Sequence, residues 1–273
     1  MKSGLAVMAF VLGELAESGC VPQKTIVFAG TCDEERGGLG AKEIIKEYPD
    51  LFPELLLIGE PTSCQAGVAQ KGCIWLKLSV SGKTSHGAEP WQGINALEQG
   101  FGLLADLREE LKREEHPVLG RSTLQITMAE GGIAPNMTPD RAKFLADIRI
   151  VPPLNEKEVL NRLECLMQKR CEVYNGGLAF VPEITNYRMP AETGPENQWL
   201  HRLKGFIGDD AGETGINYFT DASILLTAWP DSPALLFGPG EPQMCHKPNE
   251  YVEISKYLEA IRVMEKFCWY IAK

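Results

Sequence analysis

The stretch that decides the fold reads TIVFAGTCDEERGGLGAKEIIKEYPDLFPELLLIGEPT, residues Thr25–Thr62. It opens with an apolar run, Thr25–Thr31, passes through an acidic turn into a helix-like segment from about Gly38 to Tyr48, and closes with Leu55–Gly59. The two apolar runs predict strands. Alternation of strand, helix and strand is typical of α/β proteins. We therefore predict a doubly wound, mostly parallel sheet with helices on both faces.

The residues before this stretch predict an amphipathic helix. Four apolar side chains recur there at helical spacing: Leu5, Met8, Leu12 and Leu15. A short export signal is the alternative, but Glu14 and Glu17 interrupt the region where small residues should precede a cleavage site. No other run approaches the roughly 18 apolar residues of a membrane span.

The pattern changes near Gly67 and changes back near residue 185. Between these points the sequence predicts a small α+β domain with an antiparallel sheet, whose elements are the strand Cys73–Ser81, a helix over Asn95–Glu115, the strands Leu124–Met128 and Phe144–Val151, a helix from near Asn155 and a strand near Leu178–Val181. A helix, a strand and a final helix follow, at Trp199–Ile207, Ala234–Phe237 and from Ile254. We predict one domain made of residues 1–69 and 185–273, with residues 70–184 inserted into it.

Composition narrows the class of protein. The 273 residues are 44% hydrophobic and 23% charged, which is typical of a globular protein. A net charge of −10 argues against a nucleic-acid or anionic-membrane partner, because a phosphate surface requires clustered Lys and Arg. The eight cysteines lack C-x-x-C spacing, and we interpret them mainly as free thiols of a cytoplasmic protein rather than as disulfides.

Chemically useful side chains follow three of the predicted strands. In open α/β sheets ligands bind at the carboxyl ends of strands. Glu34 and Glu35 follow the first strand, Glu60 follows the second, and His246 follows a third strand and a glycine-rich loop. Carboxylate and imidazole ligands suit Zn²⁺, although a solvated acidic loop and a surface histidine are the plainer alternatives. Two further histidines, His116 and His201, match no pattern and are predicted to lie on surface helices.

The order of six segments is more specific than any one of them: MKSGLAVMAF, TCDEERGG, LLIGEPTS, SGKTSHGAEP, APNMTPDRAKFLADIR and FGPGEPQMCHKPNEYV. Together they resemble the zinc-dependent aminoacylase and metallocarboxypeptidase family, of the acetylornithine deacetylase and succinyl-diaminopimelate desuccinylase type. The resemblance covers essentially the whole chain. It implies a metal-dependent hydrolase in which the inserted domain is a lid that also forms a homodimer.

The resemblance also implies roles in a two-metal site. Glu34 matches the general acid/base, and Glu35 and His246 match ligands of one metal ion. Glu60 matches a ligand of the second metal ion. The implied cofactor is therefore Zn²⁺, two ions per active site, with Co²⁺ as a possible substitute. A carboxylate beside such a metal can take a proton from water and return it to the leaving amine.

Three residues of the inserted domain match substrate-contacting positions. His86 matches a histidine that reaches the partner subunit's active site and polarises the scissile carbonyl. Asn136 and Arg149 match positions that hold the substrate's carboxylate, which a guanidinium can bind with two hydrogen bonds. Structural alternatives remain: Arg149 could pair with Asp147 on the strand surface, and His86 could stabilise a turn.

The sequence departs from the family pattern at its start. A His-x-Asp motif and a metal-bridging Asp are expected upstream of Met1, so we expect an N-terminally truncated chain with weak activity. The leading hypothesis is cleavage of the amide bond of N-acyl amino acids. A dipeptidase or carboxypeptidase of the same family and a non-catalytic dimerisation scaffold are the alternatives. The expected substrate is a small N-acylated amino acid or a short peptide.

Overall fold

The computed structural model describes residues 1–209 and 211–273. In chain order the helices are α1 (Lys2–Glu17), α2 (Leu39–Glu47), α3 (Ala96–Leu111), α4 (Glu156–Val173), α5 (Gln198–Ile207), α6 (Ala222–Ala228) and α7 (Ile254–Ala272). The strands are β1 (Leu56–Ile58), β2 (Ala66–Gln70), β3 (Gly72–Ser81), β4 (Glu115–His116), β5 (Gly120–Arg121), β6 (Thr123–Gly131), β7 (Arg141–Ile150), β8 (Ala179–Arg188), β9 (Ala191–Glu192), β10 (Glu213–Ile216) and β11 (Ala234–Leu236). The chain divides into two compact units, Met1–Gln70 with Ala191–Lys273, and Lys71–Pro190.

The first unit is built on a mixed sheet. Its strands lie in the order β1-β11-β2-β10, and β9 also pairs with β2. The pairs β1–β11 and β10–β2 are parallel, whereas β11–β2 and β2–β9 are antiparallel. The predicted α/β character is confirmed, but the predicted mostly parallel, doubly wound sheet is not. The physical reason is the short connection between β1 and β2. Two parallel strands of one sheet need a crossover of a dozen or more residues between them, so after this short loop β2 runs in the opposite direction to β1.

The predicted strand at Thr25–Thr31 was wrong. These residues form no strand, and no strand in the described part of the chain pairs with them. Val27 and Phe28 are 60% and 44% exposed, so the apolar run is not buried either. A strand is stabilised by hydrogen bonds to a neighbouring strand, and an apolar pattern alone does not supply that neighbour.

Helix α1 buries a face adjacent to the one that its large apolar residues indicate. Gly4, Val7, Val11 and Leu15 are buried, while Leu5, Met8 and Leu12 are only partly covered. Gly4 explains the rotation, because a Cβ added there would overlap the carbonyl of Gly59 at the end of β1. The absence of a side chain lets the helix approach the strand end closely.

The second unit is an antiparallel sheet with strand order β6-β7-β3-β8. Ten residues of β3 pair in register with β7, from Gly72 opposite Ile150 to Ser81 opposite Arg141. Alternate residues of β3 and β7 are buried against α3 and α4, and the intervening ones are more exposed. This alternation is the pattern expected of a sheet that is covered on one face.

The helices that cover this sheet begin at asparagine caps. The side chain of Asn95 accepts hydrogen bonds from the backbone of Leu97 and Glu98. Asn155 and Glu158 form a reciprocal capping box at the start of α4. These caps satisfy backbone N–H groups that have no partner within the helix, and they fix where each helix begins.

His116 lies in a different environment from the one predicted. His116 is not on a surface helix as predicted: it lies in β4, is 6% exposed, and its Nδ1 accepts hydrogen bonds from the backbone of Val118 and Leu119. A polar ring is stable there because backbone donors replace water. Among the described residues, no helix combines the length and apolarity needed to cross a lipid bilayer.

Candidate functional site

A tight turn places Glu34 and Glu35 side by side. The turn begins at Asp33, whose φ of 65° is in the left-handed region, and the carbonyl of Asp33 accepts hydrogen bonds from the backbone of Gly37 and Gly38 at 3.1 and 2.6 Å. Asp tolerates this conformation better than most side chains. Consequently Glu34 is half-buried while Glu35 is exposed, so the two adjacent carboxylates occupy different environments.

His246 also has a left-handed backbone, with φ of 60°. Its Nε2 lies 3.1 Å from Oε1 of Glu35, although 211 positions separate them along the chain. Left-handed conformations of residues other than glycine are uncommon and concentrate at functional sites. The structure thus brings together the two residues that the sequence predicted as ligands of one metal ion.

The distance between Glu35 Oε1 and His246 Nε2 can be compared with the distance between two ligands of one metal ion. Two ligand atoms that each lie about 2.1 Å from a tetrahedral Zn²⁺ are roughly 3.4 Å apart. The 3.1 Å between Glu35 Oε1 and His246 Nε2 is close to that value. Within residues 1–209 and 211–273, however, no group of three or more His, Cys, Asp or Glu side chains is arranged to hold a metal ion. The distance between Glu35 and His246 therefore fits two ligands of one metal ion.

Glu60 lies at the end of β1 and is 8% exposed. Burial raises its pKa, and the negative charges of Asp221 and Glu35 raise it further. The α-amino group of Met1 and the imidazole of His246 oppose this increase. Like charges that converge on a buried carboxylate disfavour its ionised form. A bound cation would relieve that repulsion, which is the behaviour expected of a metal ligand.

Asp221 and Tyr218 belong to the same environment but were missed by the sequence reasoning. Asp221 is 8% exposed and accepts a hydrogen bond from Thr31 Oγ1 at 2.5 Å. The Tyr218 hydroxyl lies 3.7 Å from Cys245 Sγ. Burial raises the pKa of Tyr218, and the charges of Glu60 and Glu34 add to that effect. No local pattern marked Asp221, which lies directly before α6 and contacts Thr31 far away in the chain.

The other predicted residues lie in the second unit. Gly87 donates a backbone hydrogen bond to the carbonyl of Asn136 at 2.8 Å, and His86 pairs with Met137 as an isolated bridge. His86 and Asn136 are therefore on neighbouring segments. The ring of His86 accepts a hydrogen bond at Nδ1 from Ala88, as the turn-stabilising alternative anticipated.

Arg149 lies on β7 and forms a two-point ion pair with Asp147, with Nε–Oδ1 and Nη2–Oδ2 distances of 2.7 and 2.9 Å. The indole of Trp75 donates a third hydrogen bond to Asp147 at 3.0 Å. The structural alternative for Arg149 is thus present. Because the pair is only half-buried, it leaves open the proposal that Arg149 also binds a substrate carboxylate.

Comparison with known proteins locates this chain among hydrolases. Residues 68–175 match the Peptidase dimerisation domain. The acetylornithine deacetylase of Shigella sonnei (strain Ss046) is 29% identical over 277 residues, which cover 96% of this chain and 70% of that protein.

Solved structures share the fold. An aminopeptidase from Bacillus cereus ATCC 10987 has a TM-score of 0.79 at 20% identity, covering 100% of this chain and 71% of that one. A tripeptidase from Staphylococcus aureus subsp. aureus Mu50 gives 0.72 at 20% identity, with coverage of 99% and 70%. Human carnosine dipeptidase 1 gives 0.63 at 16% identity, with coverage of 99% and 72%. The sequence matches support the resemblance: the chain is similar to an acetylornithine deacetylase and carries a segment that matches a peptidase dimerisation domain, which supports an amidohydrolase or metallopeptidase. The solved structures show that it shares their fold.

Proposed function

We propose that this protein cleaves the amide bond of an N-acyl amino acid at a site formed around Glu34, Glu35, Glu60 and His246. The observation that supports it best is the 3.1 Å approach of Glu35 and His246, two residues distant in sequence that carry the oxygen and nitrogen ligands preferred by Zn²⁺. The Shigella acetylornithine deacetylase supports the choice of an acylated amino acid as substrate.

In this proposal Glu35 and His246 hold one Zn²⁺ ion and Glu60 holds a second. When bound, the metal would polarise the scissile carbonyl and lower the pKa of a water molecule. Co²⁺ would be a possible substitute. The different environments of the two adjacent glutamates suit a division of labour, since the exposed Glu35 can bind a cation while the half-buried Glu34 handles protons.

Glu34 is the proposed proton carrier. It accepts a proton from the attacking water and delivers that proton to the nitrogen of the leaving amine. A carboxylate can do this only if it is held within reach, and the Asp33 turn supplies that restraint. The neighbouring Tyr218 hydroxyl, whose pKa is raised, stays protonated and can donate a hydrogen bond.

Residues of the second unit would select the substrate. Arg149 and Asn136 are proposed to bind its carboxylate, and His86 to polarise the carbonyl in the active site of a partner subunit. The match of residues 68–175 to a dimerisation domain supports a homodimer formed through this unit. In this role the Arg149–Asp147 pair would hold the guanidinium in a fixed orientation before substrate binds.

The test is Glu34→Gln. We expect the variant to bind Zn²⁺ like the wild type and to lose roughly 10²–10⁴-fold in turnover of an N-acetyl amino acid, because the amide cannot carry the proton. Glu43→Gln is the control, since Glu43 is exposed on α2 and pairs only with Lys46 among the ion pairs described. Full activity of Glu34→Gln would remove Glu34 from the mechanism.

A substrate panel decides between the hypotheses within the family. N-acetylornithine and other N-acetyl amino acids, N-succinyl-diaminopimelate and dipeptides would be compared at saturating Zn²⁺ and then Co²⁺. Preference for the N-acetyl compounds supports the deacylase, and preference for dipeptides would replace it with a peptidase. A well-folded dimer that binds no metal and turns over none of them would instead indicate a dimerisation scaffold.

A further inference from the structure

Two loops of the first unit carry proposed metal ligands and run alongside each other. The first, residues 59–65, follows β1 and contains Glu60. The second, residues 237–246, follows β11 and ends at His246. β1 and β11 are parallel neighbours, so both loops leave the same edge of the sheet. The position of Glu60 relative to His246 therefore depends on what joins these loops.

Backbone hydrogen bonds connect the two loops. The N–H groups of Thr62 and Cys64 both donate to the carbonyl of Gly238, at 3.2 and 3.0 Å, and the N–H of Ser63 donates to the carbonyl of Gly240 at 2.8 Å. A Cβ at Gly238 would lie 2.6 Å from the carbonyl oxygen of Glu60. The close contact of the two backbones thus requires glycine at that position.

Ser63 and Cys64 adopt φ values of 55° and 60°. Consecutive left-handed residues that are not glycine are strained and persist only where the surroundings hold them. Cys64 is 2% exposed, and its Sγ donates to the carbonyl of Lys256 at 3.2 Å. Burial raises the pKa of this thiol to about 12, so it remains a neutral hydrogen-bond donor.

A side-chain network supplies the rest of the restraint. One carboxylate oxygen of Glu241 accepts a hydrogen bond from Ser63 Oγ, and the other accepts one from the ammonium group of Lys256 at the start of α7. The side chains of Glu241 and Lys256 are only 23% and 28% exposed, so solvent screens their pairing weakly. The hydrogen bond from Lys256 lowers the pKa of Glu241, and that from Ser63 lowers it further.

We propose that the Ser63–Glu241–Lys256 network is a clamp that sets the spacing of Glu60 and His246, so that Glu241 is a positioning residue of the metal site. Ser63 is three residues from Glu60, and Glu241 is five residues from His246, so the clamp acts close to each ligand. This inference rests on the proposed function. In this inference Glu241 neither transfers a proton nor binds the metal ion, but positions the residues that bind it.

The experiment is a Zn²⁺ titration of the full chain by calorimetry, for the wild type, Glu241→Gln and Lys256→Met. Each variant should bind Zn²⁺ roughly tenfold more weakly, the usual effect of removing a group that orients a metal ligand. Lys256→Arg should restore much of the affinity, because it restores the charge and the donor. The matched control is Lys204→Met, which breaks an ion pair with Glu213 of similar exposure in the same unit.

Hydrogen exchange of the Thr62, Ser63 and Cys64 amides is a second measurement that needs no metal. We expect faster exchange in Glu241→Gln and no change in Lys204→Met. Faster exchange with unchanged Zn²⁺ affinity would overturn the positioning role and leave a purely structural pair. Reduced Zn²⁺ affinity with unchanged exchange would also overturn it, because the network would then not act by holding the loops. Glu35→Gln separates the two proposals: if it binds Zn²⁺ as the wild type does, or if the wild type binds none, the proposed metal site itself fails.

Discussion

Glu60 shows how a buried carboxylate makes the stability of this chain depend on pH. It is nearly buried, and its pKa is raised first by that burial and then by the charges of Asp221 and Glu35. A raised pKa means that the folded chain holds the proton more tightly than the unfolded chain. Glu60 therefore contributes stability below its ordinary pKa of 4.5, and this stability is lost as the pH rises through the higher folded-state pKa.

We accordingly predict that Glu60→Gln stabilises the metal-free chain at pH 7 but not at pH 4. Each unit by which the pKa is raised corresponds to about 1.4 kcal/mol. Urea denaturation in the presence of a chelator, repeated across this pH range, would measure the effect. Glu43→Gln, at an exposed position of α2, should show no such pH dependence. Equal stability of wild type and Glu60→Gln at both pH values would contradict the prediction.

At the scale of elements, α3 shows how closely a helix can approach a sheet when a glycine faces it. A Cβ at Gly100 would overlap the ring of Phe144, which is 1% exposed in the core. Gly102, in the same helix, faces instead the guanidinium of Arg170, whose nitrogens would lie 2.9 Å from an added Cβ. A packed ring cannot move without disturbing the core, whereas the end of an arginine can.

We predict opposite outcomes for alanine at these two positions. Gly100→Ala should lower the free energy of unfolding by about 1–3 kcal/mol through overpacking. Gly102→Ala should cost little or stabilise, because alanine gains about 1 kcal/mol of helix propensity and Arg170 can shift. Urea denaturation midpoints of the two variants provide the comparison. Similar losses at both positions would show that Phe144 does not determine the close approach.

Most elements could be predicted from the sequence, and the exceptions have physical causes. The alternation of Cys73–Ser81 indicated a half-covered strand, because burial on one face leaves a period of two in the sequence. The run Thr25–Thr31 misled because apolarity does not reveal whether a partner strand is present. The buried face of α1 was displaced because Gly4, which makes the closest approach, carries no hydrophobic signal.

The site was predictable only in part. Glu35 and His246 could be paired because the resemblance matches both to ligands of one metal ion, and the structure places them in contact. Their roles as metal ligands remain predictions, as do the roles of Glu34, Glu60 and the residues of the second unit. Asp221 and Glu241 could not be found, because their importance arises from contacts with Thr31, Ser63 and Lys256 that no local pattern encodes.

At the scale of the whole molecule, the second unit contains most of the segment that matches a dimerisation domain. Its sheet ends on one side at β6, an edge strand with Met128 62% exposed. Edge strands offer unpaired backbone groups to a partner chain. We predict a homodimer, with twice the mass of one chain by light scattering during gel filtration. A single-chain mass that does not change with concentration would contradict it.

The parallel pair β1–β11 has a consequence for the order of events during translation. β1 leaves the ribosome roughly 180 residues before β11, a delay of about 10–40 s at ordinary elongation rates. Over that interval the second unit, which is continuous in the chain, can fold by itself. β1 remains unpaired until β11 has been synthesised. A nascent chain of this kind depends on chaperones more than its final stability would suggest, and stalling between the two strands should cause aggregation.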